Sequence, residues 1–313
     1  MRPRPLLRRL GALVLAMSMW AGCALLSNLG DYGTAITSGA GGGQGGHGGD
    51  EPSDGGGGAT GGSGGLGTGG VAPSYRDLVL EDDPIAYWTM DDYATPGDDT
   101  VLALDATMNR RHLDLVGAAE MTTGLADGAD PGALRVTDGG HAVTADDAFT
   151  FSGKVPFALE IWFEHQGGPG ERLISRSNTV DMISAGYVLT INGASLLVFR
   201  RFGADGMPDA VAVPVVPNER YHALARYDGD CMCVFVIGPE GPPASACEPS
   251  NRTIVLESLQ FFLGRPSDGF DGVLDEVAVF SGLSLPSADR LRERHAVATG
   301  TKPDDFAVID CSP

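Results

Sequence analysis

The feature that most constrains this chain is a stretch of strict alternation. Residues 157–164 read Phe-Ala-Leu-Glu-Ile-Trp-Phe-Glu. Successive side chains of a strand point to opposite faces, so Phe157, Leu159, Ile161 and Phe163 share one face. Ala158, Glu160, Trp162 and Glu164 share the other. Similar short apolar runs recur through the C-terminal part, separated by Gly, Pro, Asp and Asn clusters, which is the pattern of a multi-strand sandwich. The runs predict strands at 85–90, 133–136, 157–164, 172–175, 186–191, 195–200, 210–216, 221–227, 232–237, 259–263 and 272–280. One helix is predicted over 288–297, capped by Ser287, with Leu291 and His295 facing inward.

The first 72 residues read differently. Residues 1–10 carry four arginines and no acid, and residues 11–21, GALVLAMSMWA, are a short apolar run. That is the shape of a secretory signal, too short to span comfortably. It ends in Trp20-Ala21-Gly22-Cys23, similar to a bacterial lipobox with Trp20 where an aliphatic residue is usual. Residues 1–22 are thus read as a lipoprotein signal peptide and Cys23 as the lipidated residue. The alternative is ordinary cleavage nearby, with Cys23 a spare thiol. A lipid anchor would be the membrane attachment, at the outer membrane by analogy with lipoprotein sorting, since Ala24 and not Asp follows the cysteine. Residues 39–70 are about three-fifths glycine. Residues 23–72 are therefore expected to be a disordered tether, with a reach on the order of 40 Å. Gly41, Gly43 and Gly46 match GxGxxG, but with no strand before and no helix after them the match carries no nucleotide site.

Residues 73–313 are expected to form one all-β domain of about 240 residues. They carry 17 Lys and Arg against 37 Asp and Glu, so nearly all of the formal charge of −20 resides here. That balance excludes a nucleic-acid partner, whose phosphates need a basic surface.

Several segments of this region resemble laminin-G-like (concanavalin A-like lectin/glucanase) domains. They are Tyr75 to Trp88 (YRDLVLEDDPIAYW), Asp130 to Leu134, the 157–163 run, Gly186 to Thr190, Arg220 to Gly229 (RYHALARYDG), and Phe270 to Phe280 (FDGVLDEVAVF) followed by Leu283-Ser-Leu. They come in the family's order. The resemblance implies a jelly roll of two antiparallel sheets with its first and last strands paired.

That fold hosts lectins, adhesion modules and glucanases, so the site must decide the function. Glucanases on it carry E-[aliphatic]-D-x-x-E. Here the nearest match, Glu160 to Glu164, lacks the central Asp and is one residue short. Residues four apart on a strand have α-carbons about 13 Å apart. The pair reads better as a Glu and Glu beside a Trp on a partly exposed sheet face, and the chain is read as non-catalytic. No Ser-His-Asp set is seen, and the histidines beyond the tether are scattered.

Family members on this fold often bind Ca2+ through loop carboxylates, the oxygen ligands that ion requires. Asp82-Asp83, Asp91-Asp92, Asp98-Asp99 and Asp146-Asp147 are acidic loops, and Asp92, Asp271 and Asp275 are the candidate ligands. The competing and preferred reading is a solvated acidic surface, with Asp275 and Glu276 accepting hydrogen bonds from loop amides. Cys231, Cys233, Cys247 and Cys311 make an even set in an exported chain, hence a disulfide framework. Cys231 and Cys233 are two apart on one strand face. A Cys233–Cys247 bridge with a Cys231–Cys311 bridge is the first expectation, the swapped pairing the second. Arg200, Arg201, Trp162 and Tyr187 are the candidate binding residues, as arginines and aromatics near loops.

The sequence thus reads as a surface-tethered module recognising a glycan or a protein at the cell envelope. A glycan-cleaving enzyme and a structural envelope protein are the rivals.

Overall fold

A computed structural model describes residues 72–96, 100–126, 131–168, 170–178, 185–254, 259–265, 269–307 and 311. The signal, Cys23, the tether and Asp98-Asp99 lie outside them. Contacts divide the chain into Met1–Leu66 and Gly67–Pro313, and all described residues belong to the second unit.

Two antiparallel sheets form the domain. One has eight strands: β1 (Ala86–Trp88), β5 (Ala119–Thr122), β6 (Ala133–Val136), β8 (Phe157–His165), β13 (Arg220–Tyr227), β14 (Cys231–Ile237), β15 (Ala244–Pro249) and β17 (Gly272–Ser281). Their order is β15-β14-β13-β8-β17-β6-β5, with β1 also on β17. The other has nine: β2 (Tyr93–Ala94), β3 (Val101–Ala103), β4 (Leu113–Val116), β7 (His141–Thr144), β9 (Glu171–Asn178), β10 (Ala185–Ile191), β11 (Leu196–Phe202), β12 (Pro208–Pro214) and β16 (Phe261–Leu263). They run β12-β11-β10-β9-β16-β7-β4-β3-β2.

The expected pairing of first and last strands is present. One edge of β17 is shared: Gly272–Leu274 pair with β6, and Val277–Val279 pair with β1. Between them the register against β8 slips, and Glu276 adopts φ 49°. This is a bulge, the usual way a strand bends and re-aims its side chains.

The main core lies between the sheets. Phe157, Leu159, Ile161 and Phe163 of β8 meet Tyr187 and Leu189 of β10, Leu197 and Phe199 of β11, and Trp88 of β1. Burying side chains of this size stabilises by about 1.5–3 kcal/mol each, and alternation put them all on one face.

The opposite face of β8 departs from expectation. Glu160 and Trp162 are 0 and 2 % exposed, not half-exposed on an open sheet. Two helices cover them. The segment 75–81, read in sequence as part of the first strand region, is a helix, α1 (Tyr75–Glu81). Ser74 and Asp77 close a capping box at its start. The expected C-terminal helix, α2 (Ala288–Thr299), begins at the Ser287 cap and ends at Gly300 in the left-handed conformation. A second hydrophobic cluster lies beneath them, with Tyr75, Val79, Trp162, Leu224, Phe280 and Leu291.

Candidate functional site

The covered face carries a polar network. In register, His222 of β13 is opposite Trp162 and Leu224 is opposite Glu160. Alternation therefore puts Glu160, Trp162 and His222 on one face. Glu160 accepts from Tyr75 Oη (3.2 Å) and faces His222 Nε2 at 3.0 Å with its Oε1, while its Oε2 meets Arg294 of α2. Arg294 also donates to the Leu78 carbonyl at 3.2 Å and to Asp82. Trp162 Nε1 donates to Tyr75 Oη at 3.1 Å. Burial pushes the Glu160 carboxyl up, but Arg294 and His222 outweigh it and hold the group below the ordinary carboxylate range. Burial also lowers His222, so its imidazole is neutral and its contact with Glu160 is a hydrogen bond, not an ion pair. The ionised carboxylate only accepts, which assigns the His222 proton to Nε2.

Sequence reasoning read Glu160 with Glu164 as a failed catalytic pair. Glu160 is fully buried and ties two helices to the sheet through Tyr75 and Arg294.

Beside this network the covering opens into a cleft of about 390 Å³. Its walls include Trp162, Arg220 at the start of β13, the turn Gly238–Gly241 after β14, and His295, Thr299 and Thr301 at the end of α2 and beyond it. Trp162, His222 and His295 lie nearly parallel, with ring centroids 4.5–5.7 Å apart. Burial, with His222 nearby, lowers His295 to about 3, so it too is neutral near pH 7. Arg220 is exposed at the mouth and donates to the Leu125 carbonyl at 3.2 Å. Gly238 is required at the rim, because a Cβ there would lie 2.9 Å from the Tyr221 ring. A hollow of this size whose lining residues include aromatic, hydroxyl-bearing and guanidinium side chains suits a small polar ligand. The histidines that looked scattered in sequence thus include two brought together here.

The remaining candidate binding residues fall elsewhere. Tyr187 is in the main core, its hydroxyl donating to the Phe149 carbonyl. Arg201 is fully buried and not at a loop surface. It lies 3.2 Å over the Tyr227 ring and donates to Ser250 Oγ and the Gly153 carbonyl. The structure corrects both: alternation on β10 and β11 turns these side chains inward. Arg200, the residue before it, is half-buried.

The acidic candidates are not gathered. Asp275 is fully buried in the β17 bulge, its carboxylate accepting from the amides of Leu125, Ala126 and Glu276 at 2.7, 3.3 and 2.8 Å. Tyr87 Oη donates to Glu276. Asp92 is exposed, 4.0 Å from Arg76, and Asp271 is half-buried just before β17. Among the described residues, Asp92, Asp271 and Asp275 do not converge as a set of metal-ligand atoms. The first-choice bridges are both present, Cys231–Cys311 and Cys233–Cys247.

The fold and site together define an antiparallel two-sheet β-sandwich, helix-covered on one outer face, with a cleft at the margin of that cover. No family model matches the chain, and no curated protein matches its sequence. Among solved structures it is similar to the receptor-binding domain of botulinum neurotoxin type G, with TM-score 0.48 and 9 % identity over 68 % of this chain and 51 % of that one. It is similar to domain 4 of AbnA, a GH43 extracellular arabinanase from Geobacillus stearothermophilus solved with arabinotriose (TM-score 0.46, 12 % identity, 69 % and 98 % covered). The CBM40 of the Ruminococcus gnavus IT-sialidase, bound to α2,3-sialyllactose, gives TM-score 0.42 and 15 % identity over 53 % and 96 %. The chain spans about half the length of the neurotoxin receptor-binding domains it matches. No helix among the described residues is long and apolar enough to cross a membrane.

Proposed function

We propose that this chain is a non-catalytic binding module that takes a glycan in the cleft beside α2. The observation that carries the reading is the cleft itself: about 390 Å³, lined by Trp162, His295, Thr299, Thr301 and Arg220. That volume lies within the usual span of small-ligand sites, about 300–1,000 Å³. The laminin-G-like segments support the same class. The short apolar signal, Cys23 and the glycine tract support export, lipid anchoring at the outer membrane and a flexible tether that holds the domain off the surface.

The test is a panel of polysaccharides and oligosaccharides offered to the full chain, once with calcium and once with chelator. The expected result is saturable binding of at least one glycan with no reducing sugar released. Arg220→Ala should weaken it about tenfold, the worth of one charge-assisted hydrogen bond. Binding of no glycan in either condition overturns the glycan reading. Calcium-dependent binding would return the acidic loops to consideration as ligands.

A further inference from the structure

The outer face of the nine-stranded sheet carries a pattern of its own. Phe199 of β11, Leu189 of β10 and Ile174 of β9 point into the core, so Arg200, Val188 and Ser175 point out. The register sets these three abreast, with Ala210 of β12 next to Arg200 and Phe262 of β16 next to Ser175. Arg200 and Phe262 thus lie on one row across the sheet, three strand spacings or about 14 Å apart. Arg172 of β9 also points outward, opposite Thr190. It reaches along its strand to Ser177 Oγ at 3.2 Å, past Ser175, which is 0 % exposed. Arg265 leans over the Phe262 ring, 5.7 Å from its centroid, and the His141 ring lies at the same distance.

The charge of this face is opposite to that of the domain. Residues 73–313 carry 37 Asp and Glu against 17 Lys and Arg. Yet the outward positions of β9 to β12 and β16 hold Arg172 and Arg200 and, among the described residues, no carboxylate. The two acids of those strands are turned the other way, Glu171 to His165 and Asp209 to Ser250 and Arg252. Arg200 itself is half-buried between Val188 and Ala210, and no described residue gives it a hydrogen bond or an ion pair. Burial lowers its pKa from the ordinary guanidinium value. A cation drawn from water without a partner is costly, and an incoming anion relieves that cost.

We propose that this face, centred on Arg200, binds an acidic polysaccharide with carboxylate or sulfate groups spaced along its chain. Guanidinium forks match such oxyanions, and the Phe262 ring offers a surface for the apolar face of a sugar. The row from Arg200 to Phe262 is too long for one small anion and suits a chain. Three guanidiniums neutralise a sparsely charged polymer. Duplex DNA, with one charge per about 1.7 Å of axis, would set far more charge against an acidic domain. The site is separate from the cleft beside α2, which lies on the other sheet, and does not depend on what that cleft takes.

The test titrates the full chain with polygalacturonate, dextran sulfate and uncharged dextran in a calorimeter. Saturable binding of at least one acidic polymer and none of dextran is expected, and the polymer bound tells carboxylate from sulfate recognition. Arg200→Gln should weaken binding about tenfold, the worth of one charge-assisted hydrogen bond. Its urea midpoint should equal or exceed the parent's, because the change removes a charge that has no partner in the fold. Arg200→Lys should restore only part of the affinity, since an ammonium has no fork. Arg76→Gln makes the same charge change at an exposed residue of α1, over the other sheet, and should bind as the parent does. The proposal is overturned if neither acidic polymer binds, or if Arg200→Gln binds as tightly as the parent. It is also overturned if Arg76→Gln loses as much affinity as Arg200→Gln, or if duplex DNA binds as tightly as the polysaccharides.

Discussion

The two faces of β8 solve the same burial problem in opposite ways. Its inner face, Phe157 to Phe163 in steps of two, is wholly apolar and meets another sheet. Its outer face buries Glu160 and Trp162 just as deeply, but under helices that bring Arg294 and Tyr75 to meet them, with Asp82 as a second partner of Arg294. Dispersion and area burial hold the inner face, and an apolar residue of about the right size serves there. The outer face is held by a charge that has a partner, and a buried charge tolerates no loss of that partner.

Replacing Glu160 with Gln is expected to show the difference at its largest. It leaves the buried Arg294 with one carboxylate partner, Asp82, instead of two and should cost about 1.5–3 kcal/mol by urea denaturation. Glu160→Met with Arg294→Met together should cost less than the two single changes summed. Additive losses would mean that the two side chains are not coupled.

Acid should separate the faces next. Glu160 is held below its ordinary range, so its contribution is complete above about pH 4.3, the unfolded value, and is lost as pH falls through its folded value. His222 and His295 stay neutral in the fold, while the unfolded chain protonates them below about pH 6.5. Stability should therefore already decline from there toward pH 3, where His295 titrates. His295→Gln should flatten that decline, and Phe163→Leu on the inner face should lower stability without changing its pH slope. A pH slope unchanged in His295→Gln would sink this account.

Smaller effects mark the limits of the comparison. Ser287→Ala, which frees the Arg290 amide at the α2 cap, should cost about 1 kcal/mol. Ile161→Val on the inner face should cost a similar 0.5–1.5 kcal/mol or so. Arg220→Ala, exposed at the cleft mouth, should stay within about 0.5 kcal/mol in stability while weakening any glycan bound there.

The inner face was legible in the sequence because alternation is a local signal. The strands at 133–136, 186–191 and 221–227 match or fall within a residue of β6, β10 and β13. The outer face was not legible, because its cover comes from residues 75–81 and 288–299, far from β8 in the chain. Glu160 and Trp162 look like solvent-facing residues until those helices are placed. His222 and His295, 73 positions apart in the chain, meet at Trp162, and nothing in either local sequence announces it. The strands β2 to β5 escaped notice for another reason: they are two to four residues long, too short for a period to show. For α1 a signal did exist, the Ser74-x-x-Asp77 box, hidden by an apolar run that also fits a strand. The cysteine pairing was readable in part: a local hairpin brings Cys247 back beside Cys231 and Cys233, and the β14–β15 register, which sets it opposite Cys233, decides between the two expected pairings.

The shared edge of β17 also sets the order in which this molecule can be finished. β1, at residues 86–88, has β17 as its strand partner, and β17 ends at residue 281. Nearly two hundred residues must be made before the first strand has anything to pair with. Until then β8 also lacks its neighbour on that side, and Asp275 is not yet present to receive the Leu125 and Ala126 amides. Pairings this distant form slowly, and unpaired edges are exposed in the meantime. The chain is therefore most vulnerable to aggregation and proteolysis late in its synthesis, and it closes only when the strand at the middle of its sheet, among the last to be made, is inserted.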